Sequence, residues 1–167
     1  MRAYLIRRGA IPEIGDFVDA VHKRDAAKLR ELLATSPALR TQIDRPLFSF
    51  GAQAIVVAKN DRPVVETLLE FGANINVKTD WWAGGFGVLD DSDPAQAGWL
   101  IEHGAIVDIH AAAGLGMADT VEEWIAKDPS LVHAPGGDQR VHFVEESCLN
   151  RFREYSDANI SAAKLLS

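Results

Sequence analysis

The chain reads as an all-α stack of short, repeated helix pairs, and three observations predict it. The run Val64-Val65-Glu66-Thr67-Leu68-Leu69 places Val64, Val65, Leu68 and Leu69 on one face of a helix. The pattern recurs: Leu100-Ile101 lies thirty-two residues after Leu68-Leu69, Leu32-Leu33 lies thirty-six before it, and Trp124-Ile125 follows Leu100-Ile101 by twenty-four. A helix of this length is marginal in water by itself. Self-similarity with a period of ~33 residues is how stacked repeats announce themselves, since each unit buries its face only against the next.

The helix ends carry the same message. Gly72 and Gly104 follow the last periodic residues, where the chain needs a left-handed backbone that glycine adopts at little cost. Pro63 opens its helix at a position where a missing N–H is harmless. The endings Leu68-Leu69-Glu70-Phe71-Gly72-Ala73-Asn74-Ile75-Asn76 and Leu100-Ile101-Glu102-His103-Gly104-Ala105, with the helix opening Ile109-His110-Ala111-Ala112-Ala113, resemble the ankyrin repeat. The resemblance covers residues 14–140 and implies an ankyrin-type helical solenoid of about four repeats with short finger turns. The expected repeats are residues 14–45, 46–79, 80–108 and 109–135, within a repeat domain at 1–140. Residues 141–167 then form a diverged or truncated C-terminal cap.

Taken in order, Leu5-Ile6-Arg7-Arg8-Gly9-Ala10 carries a helix-end pattern, as the first piece of the stack or of a longer array. Repeat one uses Phe17, Ala20 and Val21 on an inner face, with Asp16 as a candidate N-cap. Its second helix spans residues 27–34 with Leu29, Leu32 and Leu33 inward, and Pro37 stops it. In repeat two, residues 52–59 are rich in β-branched side chains and read equally as a buried strand. Register favours helix, because Val57 precedes Leu69 by the interval that separates Val21 from Leu33.

Repeat three opens on Asp80-Trp81-Trp82-Ala83-Gly84-Gly85-Phe86-Gly87, and its first helix must be clipped for lack of residues. Asp93-Pro94 restarts the chain as N-cap and first helical residue. Repeat four places His110 at a helix start, then Val121, Trp124 and Ile125 inward on a second helix capped by Asp119. The aromatic finger and a later Gly136-Gly137-Asp138 are similar to those of a family of bacterial ankyrin-repeat proteins of unassigned function, but after residue 144 the period is lost.

A formal charge of −7 and a pI near 5.2 argue against nucleic acid and anionic membrane surfaces, which select for Lys/Arg surplus. The lone Cys148 cannot close an internal disulfide, which suits a reducing cytoplasm. No apolar run approaches a membrane span or a secretory core, Ala3-Tyr4-Leu5-Ile6 being the start of neither.

Most candidate chemistry has a structural explanation. His110 stands where the repeat's histidine ties loop to helix, and no second ligand lies at metal spacing. Asp90-Asp91-Ser92-Asp93 lacks the glycine and distal glutamate of a calcium loop. Gly84-Gly85-Phe86-Gly87 has neither the strand nor the cation of a phosphate cradle. Neither metal nor cofactor is implied. Trp81, Trp82 and Phe86 differ, since large aromatics on a turn suit an interface centre, and Asp90 and Asp91 would add a negative field. The structural residues are Leu32, Leu33, Leu68, Leu69, Gly72, Leu100, Ile101, Gly104, His110, Trp124 and Ile125.

The resemblance implies a non-catalytic module that binds a protein through finger tips and the concave helix face. Its rivals are a regulatory or spacer fragment of a larger protein, and a hydrolase using acidic residues and His110. No motif gathers nucleophile, base and oxyanion donor, which disfavours the last.

Overall fold

The computed structural model describes residues 11–81 and 85–133. These divide between Asp80 and Trp81 into two compact units. Among the described residues every regular element is helical, and no strand forms.

The first unit begins with α1 (Ile14–His22), which buries Phe17, Ala20 and Val21 as the periodicity requires. Its start corrects one expectation: Glu13 is the N-cap position and Asp16 lies inside the first turn, where a carboxylate complements the helix dipole. Arg24 turns the chain at φ 55°, and Asp25 caps α2 (Ala26–Thr35) by accepting the Lys28 N–H at 2.9 Å. Leu29, Leu32 and Leu33 are buried.

The second helix ends at Ser36, and Pro37 begins a new turn of helix, α3 (Pro37–Arg40). Ser36 serves as its cap, its hydroxyl accepting the Leu39 N–H at 3.3 Å. The proline thus starts a helix as well as ending one.

Residues 54–57 form a single helical segment, α4 (Ala54–Val57), with Ala54, Ile55 and Val56 buried. The β-branched run is therefore helix, and shorter than its pattern suggested. Asp61 accepts the Val64 N–H at 3.2 Å and caps α5 (Arg62–Glu70), with Pro63 in its first turn. Val64, Val65, Thr67 and Leu68 are buried there, whereas Leu69 is half-buried. Thr67 reaches the core at no polar cost because its hydroxyl donates to the Pro63 carbonyl at 2.9 Å.

The packing follows a simple rule. Helix α1 packs on α2 and on α4, α5 packs on α4 and on α2. First helices meet first helices and second meet second, which makes two stacked pairs. Across the α2–α5 seam Arg30 forms an ion pair with Glu70 and reaches the Thr67 hydroxyl at 3.4 Å. Glu70 holds the Arg30 guanidinium above its ordinary pKa, although the pair is fully exposed to water. The loops behind the helices are tied as well, the Asn74 N–H donating to the Asp44 carboxylate at 3.0 Å.

The second unit has a thinner core of Val88, Leu89, Ala97, Leu100, Ala105, Ala111 and Ala112. Repeat three has no first helix among its described residues. A turn at Val88–Ser92, where the Ser92 hydroxyl donates to the Val88 carbonyl, stands in its place. Asp93 then caps α6 (Pro94–Glu102) by accepting the Ala95 N–H at 2.9 Å and the Gln96 N–H at 3.3 Å. Leu100 is fully buried while Ile101 is half-buried, repeating the Leu68/Leu69 difference.

Asp108 caps α7 (Ile109–Gly114), accepting the Ala111 N–H at 2.8 Å. The next helix, α8 (Ala118–Lys127), packs on α7 and on a closing 3₁₀ turn, Pro129–His133. Its N-cap position is Met117, so Asp119 sits within the first turn and is not the cap. Val121, Trp124 and Ile125 are half-buried, and no residue of α8 is fully buried, a second departure from the inward pattern. The 5–10 fragment and the 141–167 cap lie outside the described residues.

Two measurements check this packing. Leu68→Ala should lower unfolding free energy in urea by about 2–5 kcal/mol, the cost of truncating a buried leucine, and Leu69→Ala should cost clearly less. At Gly72, φ is 91° and an added Cβ would meet no atom within 4 Å. Gly72→Ala should therefore destabilise by roughly 1–2 kcal/mol through backbone conformation alone, with no change in the spectrum of the folded state.

Candidate functional site

In a scaffold of short helices the side chains free to act sit on the turns, and the turn with the most unusual geometry is Phe48-Ser49-Phe50-Gly51-Ala52. The Phe48 N–H donates to the Ala52 carbonyl at 3.1 Å, closing an antiparallel bridge around one 3₁₀ turn, Ser49–Gly51. Both Phe50 (φ 63°) and Gly51 (φ 65°) are left-handed. For Gly51 the reason is steric. A Cβ there would stand 3.0 Å from the Asp80 Cβ, and the Gly51 carbonyl accepts the Asp80 N–H at 3.2 Å. The adjoining loop is tied once more where Gln53 Nε2 donates to the Lys78 carbonyl at 3.1 Å.

Phe50, by contrast, is a bulky residue in a conformation that favours glycine or asparagine. Phe48 is the turn's root, buried and edge-on to the His22 ring with centroids 5.3 Å apart. Phe50 is its display, 58% exposed. One aromatic fixes the turn and the other is presented. Phe50 was missed in the sequence because the available signal, aromatics alternating along Phe48-Ser49-Phe50 before a glycine, also describes an ordinary strand end.

The second unit holds part of the site expected from sequence. Trp81 and Phe86 meet edge to face, with centroids 6.3 Å apart and planes at 82°, and both are half-buried. Trp82 lies outside the described residues. Asp90 accepts the Gly87 N–H at 2.7 Å, so its carboxylate closes the aromatic loop. Asp91 is exposed and left-handed at φ 58°. The structure thus brings Trp81, Phe86 and Asp90 into one loop, and it separates the roles of two adjacent aspartates.

His110 occupies the second position of α7, half-buried, with its Nε2 buried and without a hydrogen-bond partner among the described residues. Such an atom costs roughly 1–3 kcal/mol when left unpaired. Elsewhere, Lys127 holds the Glu123 carboxyl below its ordinary range, and hydrogen bonds from Ser130 do the same for Asp128. Among the described residues no group of three or more His, Cys, Asp or Glu is placed to hold a metal ion, and no helix is long and apolar enough to cross a membrane.

Comparison of the chain with family models, with curated proteins and with solved structures finds no match.

The two aspartates provide a test. Asp90→Ala removes the acceptor for Gly87 and should destabilise the second unit by roughly 0.5–3 kcal/mol. Asp91→Gly relieves a left-handed backbone and should be neutral or stabilising by up to about 1–2 kcal/mol. Thermal unfolding followed by tryptophan fluorescence reports both, since Trp81 lies in the same loop.

Proposed function

We propose that this protein is a non-catalytic protein-binding module built on an ankyrin-type helical stack. The scaffold reading is supported by the two stacked helix pairs of the first unit and by the left-handed glycines Gly72 and Gly104 at corresponding helix ends. The short inter-repeat turns then serve as fingers.

A single observation carries the binding reading: Phe50 is exposed on a turn whose backbone would be relaxed by glycine. An exposed aromatic by itself is ordinary. An exposed aromatic retained in the left-handed region, at a cost of roughly 1–2 kcal/mol against glycine, needs a return elsewhere. Strain of this kind gathers at sites that contact other molecules. Phenylalanine is among the side chains enriched at protein interfaces, where it buries a large area while ordering only two torsions. Trp81 and Phe86 give the second unit an aromatic loop of the same character.

Phe50→Gly separates function from folding. The variant should keep or raise the thermal midpoint and lose the anchor, weakening partner binding by about tenfold or more. Affinity capture from the source cell, quantified by mass spectrometry for the native chain, Phe50→Gly and an exposed control variant, supplies the measurement. Capture unchanged by Phe50→Gly, or no protein enriched by the native chain, would refute this surface.

A further inference from the structure

We infer that the loop between α6 and α7 is a second docking surface, for a cationic segment of polypeptide, with Ile106 as its apolar anchor. This rests on the protein-binding reading above and adds to it the chemistry of a partner.

Charge is distributed unevenly along the chain. Residues 14–80 carry nine Asp/Glu against nine Lys/Arg, and Lys23, Lys28 and Arg30 are in ion pairs with Asp19, Glu31 and Glu70. Residues 81–133 carry nine Asp/Glu and one cation, Lys127, which is paired with Glu123. Besides Glu123, Asp90 is engaged on Gly87, Asp93 on α6, Asp108 on α7 and Asp128 on Ser130. Glu102, Asp119 and Glu122 are exposed, and none forms an ion pair among the described residues.

Glu102 is the most informative of these. It is the last residue of α6, and the last turn of that helix holds no basic residue. The helix macrodipole is negative there, so a carboxylate is locally unfavourable. Its position works against the stability of its own helix and calls for another explanation.

Ile106, four residues on, supplies one. It is 73% exposed, more than any other large apolar side chain among the described residues. In both units a left-handed glycine and a buried alanine open this loop, as Gly72-Ala73 and Gly104-Ala105. Asn74 follows in the first unit, and its side chain accepts the Asn76 N–H at 2.9 Å, folding the loop on itself. Isoleucine has no acceptor and cannot make that turn. Where the first unit has a loop-forming side chain the second has an exposed apolar one, four residues after Glu102. The base of the loop is stiffened by the Trp99–His103 stack, with ring centroids 3.9 Å apart and His103 Nδ1 2.8 Å from the Trp99 carbonyl oxygen.

The occupant follows from this chemistry. Nucleic acid and anionic lipid are repelled by the same carboxylates. A wholly apolar partner would leave Glu102 facing a low-dielectric surface without a counter-charge. A Lys/Arg-bearing segment with one apolar side chain satisfies both, with the unpaired carboxylates steering its approach.

The test uses the intact protein and two labelled lysine-rich peptides that differ only in a central leucine or glycine, followed by fluorescence anisotropy. The leucine peptide should bind about tenfold more tightly than the glycine peptide. Ile106→Asn, which keeps the charge and borrows the residue of the first unit, should remove that difference without altering the circular dichroism spectrum. Glu102→Gln with Glu122→Gln should weaken both peptides and flatten their salt dependence. Equal affinity for the two peptides, or indifference to Ile106→Asn, would reduce the effect to general attraction of a polycation and overturn the inference. Ile106-dependent self-association by light scattering would overturn it as well, by naming a second copy as the occupant. Either failure would leave the Phe50 capture result standing, so the two readings fall separately.

Discussion

A helix of nine or ten residues holds its shape only while one of its faces is covered, and α1, α2 and α5 of the first unit obey that constraint. The seam between α2 and α5 is where it is met most fully. Leu29 and Leu33 on one side and Val64, Val65 and Leu68 on the other are sealed from water. The seam is apolar at its centre and ionic at its edge, where Arg30 joins Glu70. The edge pair is exposed and contributes little stability by the standards of surface ion pairs. Its value is positional, since a guanidinium that also reaches Thr67 fixes how one second helix lies along the next. Turns, caps and loop ties are consequences: each lets the chain leave a short helix, reverse, and return in register for the next burial.

Helix existence and helix ends were legible in the sequence because they depend on local chemistry. Asp93, read as a cap from the Asp-Pro pair, does accept N–H bonds from its helix, and Asp25, Asp61 and Asp108, which the pattern does not single out as caps, do the same. Gly72 and Gly104 stand after helices and take the left-handed backbone. The errors arose where an acidic residue lies inside the first turn, behind a cap position held by Glu13 or Met117. Asp16 and Asp119 satisfy the helix dipole from inside the first turn, a role that pattern reading does not separate from capping. Burial was less legible. The pairs Leu68-Leu69 and Leu100-Ile101 read as equivalent, yet only the first member of each is sealed, because burial of the second depends on what packs beyond it. Repeat three was legible as a shortage: too few residues for two helices, and a single turn at Val88–Ser92 in the space.

The candidate sites were legible to a smaller degree, for a physical reason. Composition located the aromatic loop, and Trp81, Phe86 and Asp90 do meet there. It could not assign the carboxylates, since an aspartate that closes a loop and one that faces water have the same letter. Phe50 was invisible for a related reason. A phenylalanine near a glycine is unremarkable until its left-handed φ is known.

The left-handed positions, taken together, separate the work of the scaffold from the work of the surface. Gly72 and Gly104 occupy such positions where the helix must end, and glycine is the residue that makes the ending inexpensive. Gly51 occupies one where a Cβ would also crowd Asp80. Phe50 occupies one as a bulky residue that is more than half exposed. The loops after Gly72 and Gly104 add a matching contrast. One places an asparagine where a side-chain hydrogen bond folds the loop, and the other an isoleucine that can make no such bond. At Ile106 the locally favourable residue is known from the molecule itself, since asparagine fills the comparable position, and at Phe50 it is glycine by conformational preference. A stack that served only its own stability would use them throughout. The two departures, both apolar and both on turns, are therefore where selection for something outside the fold is most visible in this chain.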